Sequence, residues 1–142
     1  EIVFSMSKIS LKDKFEKRTN IEVKSITKSF WGNPIGSKML IPSPNIIQEY
    51  INQSEFGDKL DIKTMRKDLA VEYNADFTCP LTTGIFLKIV AEYNHEKFLE
   101  NKEIENICPF WRIIEPKSNL AQKLNFDKMF IVRHRKVEKI EP

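Results

Sequence analysis

The segment from Pro80 to Asn101, "PLTTGIFLKIVAEYNHEKFLEN", constrains the fold most. No proline follows the first residue, and Gly84 is the segment's one glycine. Proline suits the first helical turn, so the pattern predicts a long helix opening at Pro80 or Leu81. Ile85, Phe86, Ile89, Val90 and Tyr93 fall on one side of it, the expected core face. At about 100° per residue, Gly84, Leu87, Lys88, Ala91 and His95 take the opposite side. A helix of this length needs partners that cover its apolar stripe, so the chain is expected to be mainly α.

The partners are legible upstream. Ser43-Pro44 reads as a helix start, followed by an apolar face of Ile46, Ile47, Tyr50 and Ile51. Asp61 is the expected N-cap of a second helix, in which Ile62, Met65, Leu69 and Tyr73 share a face. Residues 8–18 fit a short helix with Ile9, Leu11 and Phe15 inward, and "IEVKSIT" fits a strand or extended arm. "FWGNPIGSKMLIPSP" reads as a wrapping linker anchored by Trp31 and Met39-Leu40-Ile41. "PFWRII" is expected to be a short strand, and a last helix is expected between Asp127 and Glu138. The division that follows is an N-terminal extension over 1–42 and a body over 43–142.

Bulk properties narrow the function. The chain has 142 residues, which fits one domain with an extension. Two cysteines, Cys79 and Cys108, and two histidines, His95 and His134, give no disulfide framework and no metal spacing. No metal and no cofactor are expected. No apolar run approaches the roughly 20 residues of a membrane span, and "EIVFSM" is too short and too acidic for a signal peptide. The expectation is a cytoplasmic monomer. Charge is polarised: between Lys8 and Lys38 eight Lys or Arg face three acids, whereas "EYNHEKFLENKEIE" is acidic. Such a surface hints at a polyanion partner.

The two helices over 61–73 and 81–100 have the proportions of a helix-turn-helix with the second as recognition helix. Its outer face lacks the Arg, Asn and Gln that read base edges in a major groove. Gly84 and Ala91 permit close backbone approach instead, which suits a minor groove; the other reading is that they face a neighbouring helix. Thr82 and Thr83, with the free amides of the helix start, are candidate phosphate ligands. Lys88, and Lys63 and Lys67 on the preceding helix, complete the candidate nucleic-acid contacts. Cys79, just before the helix, is either a small buried hydrophobe or a thiol acidified by the helix N-terminus.

With these residues in place, the chain resembles the DNA-binding domain of the alkylguanine-DNA alkyltransferases. "FGDKLDIKTMRKDLA", "CPLTTGIFLKIVA" and "ICPFWRII" carry the resemblance, over roughly Ser43 to Glu138. Pro109, Phe110, Trp111, Arg112 and Ile113 align with that family's Pro-Cys-His-Arg-Val segment. A small bacterial branch termed alkyltransferase-like is closer, through "TCPLTTGIF", "PFWR" and the upstream "KSITKSFWGNPIGSKMLIPSP". The resemblance implies a winged helix-turn-helix that docks in the minor groove and flips a damaged guanine out for transfer of its alkyl group to a cysteine.

The departures bear on activity. Phe110 stands at the acceptor cysteine, and Trp111 at the activating histidine, so transfer by the family's mechanism is lost. On a strand, Cys108 would lie roughly 6–7 Å from that position. Leu81 falls near the flipping arginine and Ile62 near the family tyrosine. Pro109, Phe110, Trp111 and Arg112 are the candidate base pocket, with Phe110 and Trp111 either stacking on a base or filling core. The expected function is non-catalytic binding of double-stranded DNA, sensing alkylated or distorted duplex, with a repair or regulatory protein as possible partner. The alternative is an interaction module that has lost DNA binding, favoured by Glu92, Glu96, Glu100, Glu103 and Glu105. An enzyme using Cys79 or Cys108 is the third reading.

Overall fold

A computed structural model describes residues 10–17 and 20–141. Among them the chain is mainly helical with one small sheet. In chain order the elements are α1 (Leu11–Lys17), β1 (Glu22–Ser25), β2 (Lys38–Ile41), α2 (Pro44–Asn52) and α3 (Ile62–Glu72). They continue with β3 (Phe77–Thr78), α4 (Pro80–Asn101), α5 (Asn119–Gln122) and α6 (Met129–Val137). Short 3-10 turns occupy Ile104–Asn106 and Phe110–Arg112. None of the described helices is long and apolar enough to cross a membrane.

Local chemistry sets the helix starts. Ser43 Oγ accepts from Ile46 N at 3.3 Å, and Pro44 opens α2. Asp61 caps α3, accepting from Thr64 N at 2.9 Å. Each cap satisfies an amide that the first helical turn leaves without a partner. α4 opens at Pro80 and ends at Lys102, which adopts the left-handed conformation that stops a helix. Phe15 on α1 is buried against the body, its ring stacked on Tyr93 at 4.8 Å. Ile9 lies outside the described residues.

The sheet has the order β1-β2-β3, antiparallel between β1 and β2 and parallel between β2 and β3. β2 is therefore its centre, and Leu40 is fully buried in the main core. Asp76 and Lys38 lock the crossover: Asp76 N donates to Lys38 O at 2.8 Å, and Lys38 N donates to the Asp76 carboxylate at 2.7 Å. The segment read as a strap thus supplies two of the three strands, and residues 38–41 belong to the body. Met39 and Leu40 are anchors; Trp31 is not, since 62% of it is exposed.

Two further expectations are corrected. The core face of α4 consists of Thr83, Phe86, Leu87, Val90, Ala91 and Asn94, and Ile85 points outward. The buried stripe is rotated by about one residue step, 100°, from the expected one. α4 packs against α1 and α2, while α3 packs against β2 and β3; Leu87 and Ala91, which spacing had placed on the outer face, are buried along with Phe86 and Val90. "PFWRII" is not a strand. Pro109 has φ −79° and ψ 65°, and Phe110 N donates to Cys108 O at 2.8 Å. This inverse γ-turn reverses the chain, and a 3-10 turn follows. Among the described residues no wing strand lies beyond β3.

Candidate nucleic-acid interface and base pocket

The start of α4 is organised around Cys79. Thr83 Oγ1 donates inward to Cys79 O at 2.7 Å, and Thr82 Oγ1 lies 3.5 Å from the same carbonyl. Thr83 is fully buried, as is Ala91, so neither is a groove contact. Thr83 spends its hydroxyl on the Cys79 carbonyl, and Ala91 belongs to the main core. Thr82 and Gly84 are half-buried, and a Cβ built on Gly84 would meet nothing within 4 Å. Gly84 is thus open to the outside and is not pressed against another helix.

Lys88 is partly spent. Its Nζ lies 2.9 Å from Glu92 Oε2, and that oxygen also accepts from Asn125 N at 2.9 Å. Glu92 is buried, so it is not part of an acidic outer surface. What α4 presents outward in its first half is apolar, with Leu81 at 56% and Ile85 at 57% exposure.

Lys63 and Lys67 on α3 are both exposed. They line an open groove of about 880 Å³ together with Arg66, Val71, Pro80 and Trp31. Pro80 brings the start of α4 to the edge of that groove. The structure therefore groups Lys63 and Lys67 with the α4 start and excludes Thr83 and Ala91.

The second candidate cluster divides in the same way. Phe110 is fully buried at the centre of an aromatic cluster. Its ring stacks on Phe130 at 5.6 Å and meets Phe126 edge-on at 5.7 Å. Phe110 is core, not pocket lining, because the γ-turn at Pro109 aims its ring inward. Pro109, Trp111 and Arg112 do line a cavity of about 610 Å³, with Phe56, His134 and Glu138. No residue of α4 lines it.

The floor of this cavity is a polar network centred on Glu138. The Glu138 carboxylate accepts from Trp111 Nε1 at 2.7 Å, Arg112 Nε at 2.8 Å and Gly57 N at 2.9 Å. Arg112 Nη1 also donates to Ser54 O and Oγ at 3.1 and 3.0 Å. Gly57 reaches the carboxylate at φ +94°, a conformation that favours glycine. Burial works against ionisation of Glu138. The hydrogen bonds from Arg112, Gly57 and Trp111 and the Arg112 charge outweigh it and hold the carboxyl below its usual value. Arg135, itself buried, ties the Trp111 carbonyl at 2.8 Å to the Glu141 carbonyl at 2.8 Å.

Both thiols are buried. Cys108 is buried and burial pushes it up to about 12, so it stays protonated at neutral pH. Cys79 is buried below the first turn of α4.

No family model, no curated protein and no solved structure matches the chain.

Sequence reasoning missed Glu138, Arg66 and the exposure of Trp31. Glu138 is a lone acid within the basic run "RHRKVEK", and that isolation was its one available signal. Trp31 stands before Gly32 in turn-forming sequence, where a core residue is out of place.

Proposed function

We propose that the protein is a non-catalytic DNA-binding protein on an alkyltransferase-like helix-turn-helix scaffold without a wing strand among the described residues. It lays the outward ridge of α4 into the minor groove of a distorted or alkylated duplex. The observation that carries this reading is the pairing of an apolar ridge with flanking cations. Leu81 and Ile85 project from α4 on either side of the open Gly84, and exposed Lys63 and Lys67 stand beside Pro80. Apolar wedges with flanking cations are the usual equipment of minor-groove binders, which unstack a base step and hold the phosphates on either side. The buried thiols and the core position of Phe110 support binding without alkyl transfer.

The test is a gel-shift titration with duplex at several salt concentrations. Lys63→Glu/Lys67→Glu is expected to weaken binding and to flatten the salt dependence by about 0.9 per lost phosphate contact. Failure of the wild-type chain to bind any duplex at low salt ends the proposal.

One observation favours the second reading, a protein-interaction module. Leu81, Ile85 and Leu99 all expose apolar surface on one helix. Ile85→Glu separates the two: it abolishes capture of a protein partner if that surface docks protein, whereas the lysine pair would then have no effect.

A further inference from the structure

We infer that Trp31 is a stacking platform for an unpaired nucleotide, whose phosphates are held by Lys63 and Lys67 across the groove. The inference rests on the DNA-binding reading and extends its contact surface to the turn before β2.

The geometry of the turn carries the argument. Trp31 and Gly32 are the two central residues of a tight reversal, with φ +50° and +79°. Phe30 and Asn33 close it, exchanging backbone hydrogen bonds of 3.0 and 2.9 Å. The Asn33 side chain adds donations to the Phe30 and Trp31 carbonyls, both at 3.2 Å. Positive φ at both centres is the type I′ hairpin geometry, which Asn-Gly or Gly-Gly adopts without strain. Tryptophan there carries backbone strain, and the turn leaves its ring 62% exposed. Packing gives little return for either: Trp31 meets the Phe30 ring edge-on at 6.3 Å, and the inward anchor of this turn is Phe30, which leans on Phe77 and the small cluster of Ile26, Met39 and Cys79. A large ring held on a rigid strained turn, out of the core, is preorganised for contact.

The cations that line the same groove identify the occupant. Lys63 and Lys67 lie one turn apart on α3, about 6 Å along its axis. Arg66 lies between them and has a buried Nε without an acceptor among the described residues. The groove's two acids are already engaged, Asp61 with Thr64 N and Asp76 with Lys38 N. Three cations thus share the groove lining with an aromatic ring and with Val71, Phe77 and Pro80, and they outnumber the two carboxylates. A flat ring with apolar walls recognises the face of a base, and a row of cations recognises its backbone. A fully paired duplex offers no free base face, so the fitting ligand carries an unpaired nucleotide: a single strand, a bulge or a flipped base.

Trp31 reports directly on the test. The chain has two tryptophans, and the other, Trp111, is 4% exposed. The full chain is titrated with oligothymidylate, a single-base-bulged duplex, the paired duplex and polyglutamate, following emission. Oligothymidylate and the bulged duplex are expected to quench and blue-shift the emission. Trp31→Ala should weaken both by about tenfold, with paired-duplex binding little changed. Trp31→Phe should retain most of the affinity while losing the signal, and circular dichroism verifies that both variants fold. Duplex and single-strand binding with unchanged emission and no effect of Trp31→Ala overturns this inference and leaves the DNA-binding reading standing. Absence of binding to every nucleic acid overturns both. Equal quenching by polyglutamate overturns the nucleotide assignment and makes the groove a site for acidic peptide.

Discussion

Trp111 Nε1 donates to Glu138 Oε2 at 2.7 Å, joining the turn after Pro109 to the end of α6. The same carboxylate accepts from Arg112 and Gly57, so one side chain gathers two distant segments onto the end of α6. Glu138→Ala removes the acceptor and leaves the Arg112 charge buried. The expected cost is about 3 kcal/mol, as for other broken buried ion pairs, read as a lower urea midpoint. Glu138 also gives the fold an acid limit. Its folded-state value lies below the unfolded value of about 4.3, so the unfolded chain binds the proton first. The stabilisation is complete above that value and is lost as pH falls through the folded value. Urea unfolding at a series of acidic pH values should show a smaller drop in Glu138→Gln than in the wild type.

Phe110 sits where the resemblance places an acceptor cysteine, yet it is core. Phe110→Ala should cost about 3–5 kcal/mol, measured by denaturant unfolding. Phe110→Cys should not restore alkyl transfer. A thiol at that position is buried among Phe126 and Phe130 and stays protonated. Mass spectrometry after incubation with a benzylguanine oligonucleotide should find no adduct; an adduct at residue 110 would mean that the pocket opens onto this position.

The two histidines predict a second pH dependence at milder acidity. His95 stacks on Phe126 at 4.0 Å, and His134 lies 4.8 Å from the Trp111 ring. Both are held below the usual histidine value, His95 by burial and then Lys102, and His134 by burial and then Arg133. Their neutral forms favour the folded state, so this stability is present above about pH 6.5 and is lost as pH falls through the folded values. The melting temperature should decline between neutral and moderately acidic pH, and His95→Phe should lessen the decline.

Thr83 and the lysine pair separate structure from binding. Thr83→Val removes a buried hydrogen bond to Cys79 O and should cost about 1 kcal/mol of stability with duplex affinity unchanged. Lys63→Glu/Lys67→Glu should do the reverse, leaving the urea midpoint nearly unaltered while weakening DNA binding. Paired unfolding and gel-shift measurements check both.

The amino-acid sequence alone determined where most helices begin and end. Ser43-Pro44, Asp61 and Pro80 mark starts because capping and proline geometry act within one turn, on atoms a few residues apart. It also showed that Phe110 and Trp111 supply no thiol or imidazole. Tertiary structure decided which side of α4 is buried. Both sides of its first half are apolar, Phe86 and Leu87 on one and Leu81 and Ile85 on the other, so periodicity alone could not choose between them. Packing of α1 and α2 made the choice. The same holds for the proposed interface. Trp31 shares a groove with Lys63 and Lys67 only because β2 pairs in parallel with β3 and carries the preceding turn toward α3. Contacts between residues so far apart in the chain arise from sheet pairing and core packing, which no local pattern encodes.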